Sequence, residues 1–231
     1  MRTRYATPQR VASGIAVAAL LAFPLSSCGS DDDSSASSSS AASSSSSSSS
    51  AAPKPVAVVE ALSGQNTAIA LDKGFTDALA SLKLTPGVEG DAKLTDGSLV
   101  FPITGGNVSV FEPGSVPNYV VGQIQHEGSG LSLSAGDTTV TLTNLNVDPG
   151  VSRVYGDVAV NGETAVTSAY LFELDGSTLK PLQTQGDTAI LEGTQVKISD
   201  VAAPLLNETF KTDAVKPGLL VGTATITVNT Q

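Results

Sequence analysis

The chain reads as a mainly β protein, an antiparallel β-sandwich or partly open barrel carrying two short helices. Three observations predict it. From residue 56 onward, runs rich in valine, isoleucine, threonine and aromatic residues recur between glycine and proline, the composition that suits a pleated, half-buried surface. Several of these runs alternate polar with apolar residues, the period-two pattern of a strand with one buried face. Only two stretches carry helical period instead, and no period of 20 to 50 residues repeats, so solenoids and propellers are excluded.

In chain order, Asp72 can cap a helix whose Phe75, Ala78, Leu79 and Leu82 fall at i, i+3, i+4 and i+7, ending before Pro86 and Gly87. Strand-like runs follow at residues 99–103 and 107–111. Residues 138–147 and 151–160 form two more, the first alternating apolar and polar positions. Ser199 can cap a second helix, with Val201, Leu205, Leu206 and Phe210 towards the core and Pro204 tolerated in its first turn. Residues 219–228 read as the last strand. Gly105-Gly106, Asp148-Pro149-Gly150, Asn161-Gly162 and Asp175-Gly176 read as turns, Asn-Gly and Asp-Gly favouring tight hairpins.

Upstream, composition divides the chain. Arg2, Arg4 and Arg10 precede the uncharged run 11–25, and the small pair Ser26-Ser27 precedes Cys28, the only cysteine. Charged, apolar and small-residue regions in that order are those of a secretory signal peptide. The apolar run of 15 residues is shorter than the roughly 20 that a membrane-spanning helix needs. Leu25-Ser26-Ser27-Cys28 resembles the lipobox of bacterial lipoproteins. The resemblance implies cleavage after residue 27, thioether attachment of a diacylglycerol to Cys28 and acylation of the new amino terminus with a fatty acid such as palmitate. It places the chain at the bacterial cell envelope, on the outer face of the cytoplasmic membrane or the cell surface.

Residues 28–55 are then an anchored cysteine followed by a serine- and alanine-rich tether, too poor in apolar surface to offset the entropy of ordering. Residues 56–231 are long enough for one domain with a substantial core. Loss of the three leader arginines leaves nine basic residues against 22 acidic ones, net −13. Such a body repels phosphate backbones and anionic headgroups, so nucleic acid is excluded as a partner and attachment to the membrane falls to the lipid.

The inventory of catalytic residues is thin, and the chain is read as non-enzymatic. His126 is the only histidine, which limits acid–base chemistry near neutral pH and excludes multi-histidine metal sites. No G-x-S-x-G elbow and no phosphate-binding glycine motif stands in strand-to-helix context. A hydrolase using His126 is the weakest of the alternatives.

Residues 74–78 (GFTDA), 96–106 (DGSLVFPITGG) and 125–133 (QHEGSGLSL), with the alternating run after them, resemble the haem-transport-associated (HtaA-like) domain of bacterial surface proteins. The resemblance covers most of residues 67–160. It implies a β-rich domain with small helices that captures haem, using a tyrosine ligand and a histidine near the position of His126. Where that pattern places its tyrosine this chain has Ala78, which cannot bind iron. His126, Tyr119, Tyr155 and Tyr170 are therefore the candidate ligand-binding residues, phenolate being a known haem ligand. The expectation is a binding domain for a ligand or partner, haem among the candidates, with a structural or adhesive envelope protein as the alternative.

Overall fold

The computed structural model describes residues 52–230, so the leader, Cys28 and nearly all of the tether lie outside the described residues. Strand-forming sequence dominates, and every strand pairing is antiparallel. The chain runs through β1 (Ala57–Val59), β2 (Asn66–Leu71), α1 (Lys73–Ser81), β3 (Thr85–Gly90), β4 (Lys93–Thr95), β5 (Ser98–Pro102) and β6 (Gly105–Val110). It continues through β7 (Val120–Ala135), β8 (Thr138–Asp148), β9 (Arg153–Val160) and β10 (Glu163–Asp175), then a single 3-10 turn at Gly176–Thr178. It ends with β11 (Gln183–Gln185), β12 (Thr188–Ile198), α2 (Ala202–Phe210) and β13 (Leu220–Asn229). One curled sheet results, in the order β1-β6-β7-β8-β9-β10-β12-β13-β2-β5-β4, with β3 added to β7 and β11 to β12. The architecture is a half-barrel with two helices, within the predicted class.

Curling is built into the longest strands by a line of bulges. Register shifts occur between His126 and Gly130 on β7, between Thr143 and Asn146 on β8, and between Val166 and Ala169 on β10. At each stands a left-handed residue, Gly128 (φ 70°), Asn144 (φ 53°) and Ser168 (φ 51°). A hydrogen-bonded chain ties them together. The Gly128 amide donates to Asn144 Oδ1 at 3.1 Å, Asn144 Nδ2 donates to Asp157 Oδ2 at 2.9 Å, and the Ser168 amide donates to Asp157 Oδ1 at 2.9 Å. The Asn144 bond, and after it the Ser168 amide, hold the Asp157 carboxyl below the usual carboxylate range. An inserted residue re-phases the strand, so Val140 and Leu142 before the β8 bulge and Leu145 and Val147 after it are all buried in one core. The unbroken alternation expected over residues 138–147 therefore changes phase at Asn144.

The helices close on apolar faces. Asp72 caps α1 as predicted, its Oδ1 accepting from the amides of Gly74 (2.7 Å) and Phe75 (3.4 Å), while Phe75 and Leu79 are buried. Ser199 Oγ accepts from the amides of Val201 and Ala202 and donates to the Tyr170 carbonyl. Because α2 starts at Ala202, Val201 precedes the first turn and lies in solvent. Leu206 is buried and Leu205 and Phe210 pack against the core as predicted, while Ala202 and Ala203 take the place expected of Val201. Asn161-Gly162 forms the predicted two-residue hairpin, with φ positive at both residues (51° and 83°). Gly105-Gly106 does not turn. It lies inside β6, where a Cβ on Gly106 would collide with the Gln123 carbonyl, so the glycines serve close strand approach.

Candidate functional site

Eight strands contribute apolar side chains to the concave face of the half-barrel, and these surround a cavity of about 380 Å³. Ile69, Leu99 and Phe101 line one wall, Leu145, Val147 and Val154 the next, and Phe172, Leu174, Val196 and Ile226 the far side. This size falls near the lower end of the range for small-molecule sites, roughly 300–1,000 Å³. Three loops frame its mouth, contributing Pro117, Asn118 and Tyr119, then Pro149 and Ser152, then Gly176, Ser177 and Leu179. Hydrogen bonds tie the loops together. Asn118 Nδ2 donates to the Gly150 carbonyl at 2.7 Å, and the Tyr119 hydroxyl donates to the Lys180 carbonyl at 3.4 Å. Asp175 anchors the third loop, accepting from the Ser177 amide and from Lys197 Nζ at 2.6 Å. The Lys197 bond holds the Asp175 carboxyl well below its ordinary range.

His126 is the polar group at the centre. It follows Ile124 on the inward face of β7 and is 2% exposed, with its ring edge-on to Phe101 at 6.2 Å between centroids. A backbone carbonyl can only accept, so the contact of His126 Nδ1 with the Leu145 oxygen at 3.2 Å fixes the tautomer with hydrogen on Nδ1. Nε2 then accepts from the Thr67 hydroxyl at 2.8 Å. Burial lowers the pKa to about 4, partly opposed by the Leu145 bond, so the ring is neutral at ordinary pH.

Of the candidate tyrosines, only Tyr119 lines the cavity with His126. Burial raises its pKa and keeps the phenol protonated. Tyr155 and Tyr170 lie on the opposite face of the sheet, paired in register across β9 and β10 with ring centroids 6.0 Å apart. The Arg153 guanidinium sits 4.5 Å above the Tyr170 ring. The signal was present in the sequence. Val154 and Val158 flank Tyr155 at odd spacing, and Ala169 and Leu171 flank Tyr170, so apolar neighbours claim the inward positions. Ala78 is elsewhere, on α1 beside a smaller apolar cavity of about 200 Å³ against α2 and β7. The greater part of the site, its apolar wall, is not legible from single residues, because no one aliphatic residue signals a cavity.

The chemistry available follows from these contacts. Thr67 and His126 have the geometry of a hydroxyl and its base. A pKa of about 4 makes the imidazole a weak base near neutrality, and its second nitrogen meets a neutral carbonyl rather than a carboxylate that would stabilise the imidazolium. Ser129 is no alternative nucleophile, since its buried hydroxyl donates to the His126 carbonyl. Haem iron would require an unengaged donor facing the cavity. Both His126 nitrogens are engaged, Tyr119 is held as a phenol bonded to Lys180, and the residues present therefore do not fit axial ligation. What the cavity fits is an apolar guest.

No family model matches the chain, and no curated protein matches it. Among solved structures, it is similar to the C-terminal domain of HtaA from Corynebacterium glutamicum, with a TM-score of 0.49 and 15% identity over 73% of this chain and 98% of that one. It is similar also to the N-terminal domain of HtaA from the same organism, with a TM-score of 0.43 and 12% identity over 74% and 98% of the two chains. For the heme binding protein HtaB of that organism the TM-score is 0.38 and the identity 9%, over 75% and 96%.

Proposed function

We propose that residues 56–231 form a single non-enzymatic binding domain that takes an apolar small molecule into the half-barrel. In this reading the chain is a bacterial lipoprotein, held at the cell envelope through an acylated Cys28. One observation carries the binding role: a mostly apolar cavity of about 380 Å³, with a neutral, fully hydrogen-bonded histidine at its centre and a tyrosine at its mouth. A purely structural or adhesive protein of this size would fill that volume, since packed interiors leave few voids larger than a water molecule. Haem, the guest suggested by the sequence resemblance, would bind here through its porphyrin face rather than its iron.

Ligand titrations of the full chain test the reading. The neutral fluorophore N-phenylnaphthylamine is expected to bind saturably and to be displaced equally well by haem and by iron-free protoporphyrin. Ala224 lines the cavity with space before it, so Ala224→Leu is expected to weaken binding by roughly tenfold or more without lowering the melting temperature. Absence of saturable binding, or binding indifferent to Ala224→Leu, would remove the cavity from the function. A Soret spectrum of ligated iron that His126→Gln abolishes would overturn the non-ligating reading.

A further inference from the structure

The outer face of the sheet carries a second concavity, independent of the apolar one and of a different chemistry. It holds about 580 Å³ and is lined by side chains of β7, β8, β9 and β10, chiefly Gln125, Glu127, Asn146, Tyr155 and Asp157. Strand register makes part of it a row, because Gln125 pairs with Asn146 and Asn146 with Tyr155. The bulges at Gly128, Asn144 and Ser168 form its floor and rim, pinned by the hydrogen bonds through Asp157. The walls are thus set before any ligand arrives, which lowers the ordering cost of binding.

One atom in it is out of balance. Asn146 Oδ1 is buried and has no hydrogen-bond partner among the described residues. A buried acceptor left unsatisfied is costly, and native proteins carry few of them. The groups beside it define what would satisfy it. Asp157 has both carboxylate oxygens engaged, leaving the carboxamides of Gln125 and Asn146 and the exposed carboxylate of Glu127. No lysine or arginine lines the concavity, and the Arg153 guanidinium beside it is engaged by Tyr155 and stacked on the Tyr170 ring, so phosphates and carboxylates find no free counter-charge. One free carboxylate is too few for a hard cation, and no group of three metal-ligating side chains occurs among the described residues. A ligand rich in neutral donors that also accepts from amides meets every condition, and vicinal hydroxyls do both.

We infer that this outer concavity binds a neutral saccharide, with Asn146 Oδ1 accepting from a sugar hydroxyl and Gln125 and Glu127 completing the contacts. The inference stands apart from the apolar cavity and survives if that reading fails.

Saturation-transfer NMR on the full chain with maltotriose, cellotriose and mannotriose tests it, with spermidine and glucose 6-phosphate as charged comparisons. At least one trisaccharide is expected to bind, with neither charged probe competing and N-phenylnaphthylamine not displacing it. Asn146→Leu is expected to weaken that binding by roughly tenfold or more while leaving the melting temperature unchanged or higher, since it removes an unsatisfied acceptor. Gln125→Ala, on a partly exposed side chain, is expected to weaken it without affecting folding. Silence of all three sugars, binding unchanged in both variants, preference for spermidine or glucose 6-phosphate, or displacement by the fluorophore would each overturn the assignment. So would a lower melting temperature in Asn146→Leu combined with unaltered binding in Gln125→Ala.

Discussion

His126 links protonation to folding. Its unfolded pKa is near 6.5 and its folded pKa about 4, so between those values the unfolded chain binds a proton that the folded one does not. The contribution of the neutral ring is complete above pH 6.5 and is lost as pH falls towards 4, about 3 kcal/mol in all. Thermal melts are expected to show a falling midpoint over that window, and His126→Gln to flatten it, leaving intact the decline below pH 4 that belongs to carboxylates such as Asp157 and Asp175. An equal slope in both proteins would place the titration elsewhere. The sequence singled out His126 because it is the only histidine. Its neutrality was not readable, since that depends on burial by residues brought together in the fold, and the partners that fix its tautomer, Thr67 and Leu145, lie 59 and 19 residues away in the chain.

Among elements, the bulge line decides the curvature of the sheet. Asp157→Ala removes the acceptor for both Asn144 and Ser168, and its partly exposed position limits the cost to about 1 kcal/mol. Urea unfolding is expected to show that loss, with hydrogen exchange accelerated at Gly128 and Ser168 rather than across α1. Uniform acceleration would mean that the network does not localise the bulges. Asp72 made α1 legible and clean alternation made β13 legible, because capping and periodicity are local. β7, the longest strand, was not legible. Gly122, Gly128 and Gly130 interrupt its pattern, and they are there because neighbouring backbones approach closely or the chain bulges. β10 was hidden in the same way, with six exposed residues before its first buried one.

At the scale of the whole molecule, the proposed attachment and the proposed binding are separable. Among the described residues no helix is long and apolar enough to cross a membrane. The proposed anchor is therefore tested alone. Cys28→Ser is expected to move the protein from the membrane fraction to the soluble one with an unchanged melting temperature, and retention in the membrane would end the lipoprotein reading. The half-barrel also has a direction. β1 follows directly on the residues that lead from the amino-terminal side, at the outermost edge of the sheet, and only three residue pairs join it to β6. A pull from that side meets those pairs one at a time, as a zipper opens, whereas β7 and β8 are joined along their length. Freeing residues 56–61 would add up to about 20 Å of chain before tension reached Leu62, which is buried in the core and bonded to the Gly106 carbonyl. The edge strand is thus a reserve of slack, which would let a domain moored as proposed absorb a tug while its interior stays closed.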